Sequence, residues 1–146
     1  MALYNIFNIA GSALSANSVL LNTTASNMAN ANSVTSNTGD TYQAKHPVFA
    51  TLYQNQRVSQ SNLPGVQVTD IISSNAEPIR KHSPEHPMAD EDGYIYMANI
   101  NLVEEMANMI TASRAYQTNL QVADTAKKLL QQTLKLGQSE GGITHV

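Results

Sequence analysis

The residues best equipped for chemistry lie in the middle of the chain. His82-Ser83-Pro84-Glu85-His86 places two imidazoles one helical turn apart with a carboxylate between them. On a helix that spacing would bring both rings to one face, as a zinc site requires. Pro84 and Pro87 argue against a helix there, and the order His-Glu-x-x-His is absent, so the segment reads as a solvated loop. Asp90-Glu91-Asp92-Gly93 opens like a calcium loop. Its glycine stands at position four instead of six, and no glutamate closes a 12-residue loop, so a tight turn is the expectation. Neither a Gly-x-Ser-x-Gly elbow nor a phosphate-cradling glycine loop occurs. With no cysteine, thiolate metal sites, disulfides and Cys nucleophiles are excluded. The expectation is a chain that is not an enzyme: no catalytic residue, no cofactor, no metal and no small-molecule substrate.

Recognition is the chemistry left. Charged residues are 13% of the chain, about half the usual share of roughly 25%. Eight basic residues, none before Lys45, and a net charge of −3 offer no basic face, so nucleic acid is not an expected partner. From Met1 to Gly39 no side chain ionises. Asn, Ser and Thr fill that stretch, as in Asn22-Thr23-Thr24-Ala25-Ser26-Asn27-Met28-Ala29-Asn30-Ala31-Asn32. Such a surface suits contact with another protein better than contact with water. No run of about 20 apolar residues marks a membrane span. The start lacks the basic region and continuous apolar run of a cleavable signal, so any route out of the cytoplasm is expected to remove no leader.

Two helices must position these surfaces. Ile6, Ile9, Ala13, Ala16, Leu20, Thr23, Asn27 and Asn30 advance by three and four, which predicts one face of a helix over about 3–30. Its polar content makes that helix weak alone and ordered by packing. A second helix is predicted after Asn99, with Asn101 as N-cap, Glu104 completing a capping box, and Glu104 and Glu105 favourable to the dipole. Leu102, Met106, Met109, Ser113, Tyr116, Leu120, Ala123, Lys127, Leu130 and Leu134 form its stripe, and Gly137 reads as its stop. Between the helices, alternation predicts three short strands, around 48–53, 66–71 and 94–97, separated by Leu63-Pro64-Gly65, the later prolines and Asp92-Gly93. The expected fold is mainly α: long N- and C-terminal helices forming an antiparallel coiled-coil-like pair with a small β-rich insertion. Its parts are 1–32 (first helix), 33–98 (loop and insertion), 99–138 (second helix) and 139–146 (a disordered tail).

Several of these segments carry a resemblance. Ser12-Ala13-Leu14 through Ala25-Ser26-Asn27-Met28-Ala29-Asn30-Ala31 resembles the N-terminal signature of bacterial flagellar rod and hook proteins. Asn101-Leu102-Val103-Glu104-Glu105-Met106 and Ser113-Arg114-Ala115-Tyr116-Gln117-Thr118-Asn119 resemble their C-terminal signature. Tyr42-Gln43-Ala44-Lys45, Gly65-Val66-Gln67-Val68, Asp90-Glu91-Asp92-Gly93-Tyr94 and Leu136-Gly137-Gln138 are similar to the proximal-rod members. The family commonly has Arg where Gln43 stands, and Ser139–Val146 runs past its usual end.

The resemblance implies an axial building block of the flagellar basal body. It would be exported by the flagellar type III apparatus without signal cleavage and polymerise in the periplasm. There it would form the proximal rod and pass torque from the membrane-ring base to the distal rod and hook. Implied partners are copies of itself, other rod proteins, the membrane-ring base and the export apparatus. The alternative is another axial protein of the same family, a different rod or hook component, or a non-enzymatic helical adaptor. Candidate interface residues are Ile6, Ile9, Ala13, Leu20, Asn27 and Asn30 on the first helix. On the second they are Met106, Ile110, Arg114, Tyr116, Asn119 and Leu120. Asn27 and Asn30, amides on an apolar face, are expected to specify register.

Overall fold

The computed structural model describes residues 2–52 and 65–140. Two helices, α1 (Ala2–Asn30) and α2 (Leu102–Glu140), enclose a small β region in the chain order. That region holds β1 (Val34–Thr35), β2 (Lys45–Leu52), β3 (Gly65–Ser73), β4 (Ile79–His82) and β5 (Tyr94–Met97).

In the amide- and hydroxyl-rich helix α1, polar side chains bond back onto their own turns. Asn8 Nδ2 donates to Tyr4 O, Asn17 Nδ2 to Ala13 O and Asn30 Nδ2 to Ser26 O, at 3.0, 2.9 and 2.8 Å. Thr23 Oγ1 shares its proton between Val19 O and Leu20 O. The same device recurs in α2 at Thr111, Thr118, Asn119, Thr125 and Thr133. Side chains that would compete with a helix for its backbone are thereby accommodated within it.

At the start of α2, Asn101 Oδ1 accepts from Val103 N at 3.1 Å and from Glu104 N at 3.4 Å, which is the N-cap read from the sequence. The end differs from expectation. The helix passes through Gly137 to Glu140, because among the described residues the one glycine with positive φ is Gly93, and a glycine stop requires that conformation. Of the expected tail, 141–146 lies outside the described residues.

Three strands were expected and five are found among the described residues. β1, β5 and β4 form an antiparallel sheet in that order, and β2 and β3 form a separate antiparallel pair. The expected end of the first strand, at Tyr53, lies outside the described residues. A bulge interrupts the second sheet: Val48 pairs with Asp70 and Phe49 with Val68, leaving Thr69 between them. The simple alternation read across 66–71 therefore breaks at Thr69.

The β2–β3 ribbon lies along α1 and is fastened at two points. At one end Asn27 bonds both backbone groups of Lys45. At the other, Ser12 Oγ accepts from Val66 N at 3.1 Å while donating to Ile9 O at 2.8 Å. A Cβ on Gly65 would stand 2.6 Å from Ser12 Oγ, so this close approach needs glycine. Spacing agrees: Ser12 to Asn27 spans about 22 Å of helix, and the eight residues of β2 span about 26 Å.

The interior is built from small side chains. Seven of the eight buried apolar residues among those described are alanine, including Ala10 and Ala16 of α1 and Ala112 and Ala126 of α2; the eighth is Ile95. Many of the large apolar side chains lie outside. Leu, Ile, Val, Met and aromatic residues are exposed along both helices and the β2–β3 ribbon, up to 75% at Val103 and 68% at Leu136. Each buried alanine methyl contributes only about 0.8 kcal/mol, so much of the chain's apolar surface is left for other contacts.

Candidate functional site

One buried polar node ties the helices to the β region. Asn27 is 1% exposed, and its amide uses its full hydrogen-bonding capacity. Nδ2 donates to Lys45 O at 2.9 Å and to Glu105 Oε1 at 3.2 Å. Oδ1 accepts from Lys45 N at 2.8 Å and from the Tyr42 hydroxyl at 3.1 Å. Tyr42 spends its one proton on Asn27, so the 3.0 Å contact with Ser26 Oγ runs from serine to tyrosine. Four segments meet here: α1 through Ser26 and Asn27, the loop through Tyr42, β2 through Lys45, and α2 through Glu105.

Glu105 was read from sequence as a helix-dipole residue. It is in fact 4% exposed, with Oε2 buried and without a hydrogen-bond partner among the described residues. A half-satisfied buried acid of this kind costs about 1–3 kcal/mol. Its signal lay in spacing: Glu105, Met109, Ala112, Tyr116, Asn119, Ala123 and Ala126 also advance by three and four, and this is the face α2 turns inward. The stripe expected from the largest side chains is rotated relative to it. Met109, Tyr116 and Ala123 belong to both stripes, whereas Leu102, Met106, Leu120, Leu130 and Leu134 are exposed.

The other candidate residues divide similarly. Ala13, Leu20 and Asn30 are half-buried, as are Tyr116 and Asn119, while Arg114 is exposed. Asn119 Nδ2 is occupied by Ala115 O. Ile6, Ile9, Met106, Ile110 and Leu120 are exposed. Between the first turns of α1 and the second half of α2 lie two apolar grooves. One of about 310 Å³ is bordered by Ile6, Val122 and Leu129, and one of about 400 Å³ by Tyr4, Phe7 and Leu130. Ala126, too short to fill either, borders both.

The histidine and acidic segments are taken up by a turn. His82 packs edge-on against Tyr94 with ring centroids 4.9 Å apart, and the Arg80 guanidinium lies 3.5 Å from that ring's centroid. His86 Nδ1 accepts from Met88 N. Asp90 Oδ1 accepts from Asp92 N and Tyr94 N, and Oδ2 from the Tyr96 hydroxyl. Gly93 closes the turn with φ +78°. Bonding to the Tyr94 amide, above all, holds the Asp90 carboxyl below its ordinary value, with Tyr96, Asp92 and Arg80 assisting against burial. The Tyr96 hydroxyl is pushed up, chiefly by burial and then by its bond to Asp90. No group of His, Asp and Glu among the described residues is arranged to hold a metal.

Comparison with known proteins places this arrangement. Residues 91–136 match the family model described as flagellar basal body rod FlgEFG protein C-terminal. The chain is 47% identical over 138 residues to the flagellar basal-body rod protein FlgC of Escherichia coli O157:H7, covering 94% of this chain and 100% of the relative. FlgC of Yersinia enterocolitica is 48% identical and FlgC of Salmonella typhimurium 46%, each over 138 residues with the same coverage. The chain belongs to the FlgC family of flagellar basal-body rod proteins. FlgC membership makes it a structural component of the basal-body rod and of the flagellum. No helix among the described residues is long and apolar enough to cross a membrane.

Proposed function

We propose that this chain is a non-enzymatic subunit that polymerises into the proximal part of the flagellar rod. In this reading it transmits torque between the membrane-ring base and the distal rod and hook. The observation that carries the proposal is the inverted distribution of apolar side chains, with alanines inside and large residues outside along both helices. Monomeric proteins rarely expose contiguous apolar faces on this scale, and such faces mark interaction sites. Repeated heterologous contacts between such faces build helical polymers.

Within a subunit, α1 and α2 act as an antiparallel, coiled-coil-like pair. Two contacts support this: Asn27 near the end of α1 meets Glu105 near the start of α2, and Tyr4 and Phe7 share a groove with Leu130. Export in an unfolded state by the flagellar type III apparatus, without leader cleavage, suits a chain whose helices gain much of their burial from neighbours. Partners are copies of the chain, other rod proteins, the ring base and the export apparatus. Interface residues are Ile6, Ile9, Met106, Ile110 and Leu120, with Arg114 beside them. Asn27, Asn30, Ala13, Leu20, Tyr116 and Asn119 serve the pair that presents them.

Purifying basal bodies and probing them for this chain tests the reading. It is expected in the rod fraction, and its deletion is expected to abolish motility while membrane rings still assemble. Recovery in a discrete soluble complex, or unchanged motility, would overturn it.

A further inference from the structure

The outer face of α2 opens with an apolar ridge. Val103, Met106 and Ile110 are exposed there, with exposed Ala107 among them. At about 100° per residue, the middle of this ridge lies opposite the buried Glu105 and Ala112, so α1 does not cover it. Past Ile110 the same face carries exposed Arg114, Gln117 and Gln121, which limits the ridge to about 10 Å of helix. Exposed Glu104 flanks the ridge beside Val103 and makes no ion pair among the described residues.

The other end of the helix pair carries a hollow of complementary shape. Tyr4 and Phe7 of α1 and Leu130 of α2 wall the groove of about 400 Å³, and the short, buried Ala126 leaves it unfilled. Of the described residues that border this groove, Lys127 alone is charged, and it too makes no ion pair among the described residues. A lysine in such a place lays its aliphatic stem along the apolar wall and keeps its ammonium in water at the rim.

Ridge and groove therefore agree in shape, polarity and charge. Where helices interlock, a knob enters a hole formed by four residues. Tyr4, Phe7, Ala126 and Leu130 supply four apolar sides, and Val103 is the most exposed of the large apolar residues described. An acid flanks the knob and a lysine flanks the hole. Val103 and Lys127 stand about 36 Å apart along one helix, so the two surfaces cannot meet within a chain. We propose that the 103–110 ridge of one copy docks in the groove between the start of α1 and the second half of α2 of the next copy, an inference that rests on the rod-subunit reading. Glu104 then faces Lys127 across the contact. Because the two surfaces differ, the contact is heterologous and leaves one of each open at the ends of a row, so it propagates.

Photo-cross-linking in flagellated cells tests the contact. Val103 is replaced by the photo-reactive amino acid benzoylphenylalanine in one tagged full-length chain, and an unmodified chain with a second tag is co-expressed. Irradiation is expected to give a dimer carrying both tags, linked at residues 4–7 or 126–130 of the unmodified chain. A link to residues 102–110 would mean a face-to-face contact and overturn the proposal. So would a link to a different rod protein, or no product while the photo-reactive chain is present in basal bodies. The same amino acid at Tyr4, an aromatic replacing an aromatic, gives the reciprocal measurement and should link to residues 103–110; it decides the matter where the variant at Val103 does not assemble. Absence of the unmodified chain from basal bodies would instead remove the rod-subunit reading. Finally, Glu104→Lys in the photo-reactive chain should lower the mixed-tag product about two- to fivefold, the range of an exposed ion pair, and Lys127→Glu in the other chain should restore it. No loss, or loss without restoration, would overturn the pairing of Glu104 with Lys127.

Discussion

Asn27 is the residue on which the most polar contacts converge, and its replacement has a definite consequence. Asn27→Ala leaves both backbone groups of Lys45, the Tyr42 hydroxyl and the Glu105 carboxyl without the partner they have now. A loss of about 2–4 kcal/mol is expected in denaturant unfolding of the purified chain. Tyr42→Phe removes one bond and should cost about 1 kcal/mol. Asp90 and Tyr96 predict a pH response of the β4–β5 turn. The folded Asp90 carboxyl lies below its ordinary value of 3.8, so its contribution is full above that pH and disappears as pH falls through the folded value. The folded Tyr96 hydroxyl lies above 10.0, so its contribution is full below that pH and disappears as pH rises through the folded value. Amide-exchange protection of Tyr94 should therefore fall on the acid side. Asp90→Asn, which keeps an acceptor but not the charge, should flatten that limb. The place of Asn27 on a helical stripe was legible in the sequence; its partners were not. Tyr42 and Lys45 come from an aperiodic loop and a strand start, and Glu105 is 78 residues away.

Among the elements, both helices were legible because 29 and 39 residues of three-and-four spacing leave little ambiguity about type. The inward face of α2 was harder to read. Side-chain size drew the expected stripe toward Leu and Met, while close helix packing selected the alanines. β4 escaped notice because Ile79-Arg80-Lys81-His82 is exposed throughout and does not alternate; β1 has only two residues. Two glycines make the element-scale arrangement testable. Gly65→Ala should displace the start of β3 from α1, and Ser12→Ala, which removes the hydroxyl the new methyl meets, should recover part of the loss. Gly93→Ala should cost about 1–2 kcal/mol, because an L side chain is strained at positive φ. Thermal unfolding of the single and paired variants checks both.

For the whole molecule, the separation of small residues inside from large ones outside divides stability from assembly. Met106→Asp and Ile110→Asp alter exposed side chains. They should change the unfolding free energy of the isolated chain by less than about 0.5 kcal/mol while abolishing motility. Circular dichroism of the dilute chain should show less helix than the assembled rod contains, and a fully helical, cooperative monomer would refute ordering on assembly. Net charge and composition made an interaction protein legible from the outset. Which surfaces remain open depended on the rotation of α2 about its axis, which a difference of one position in stripe choice alters by about 100°.

The double fastening of the β2–β3 ribbon has a practical consequence. Both strands are already docked on α1 where the chain leaves Leu52 and where it returns at Gly65. A foreign sequence spliced between those residues would hang from a stem whose register is set by Asn27 and Ser12. An epitope or small fluorescent domain inserted there should spare the helical frame. It would let the rod be labelled in living cells without touching either helix.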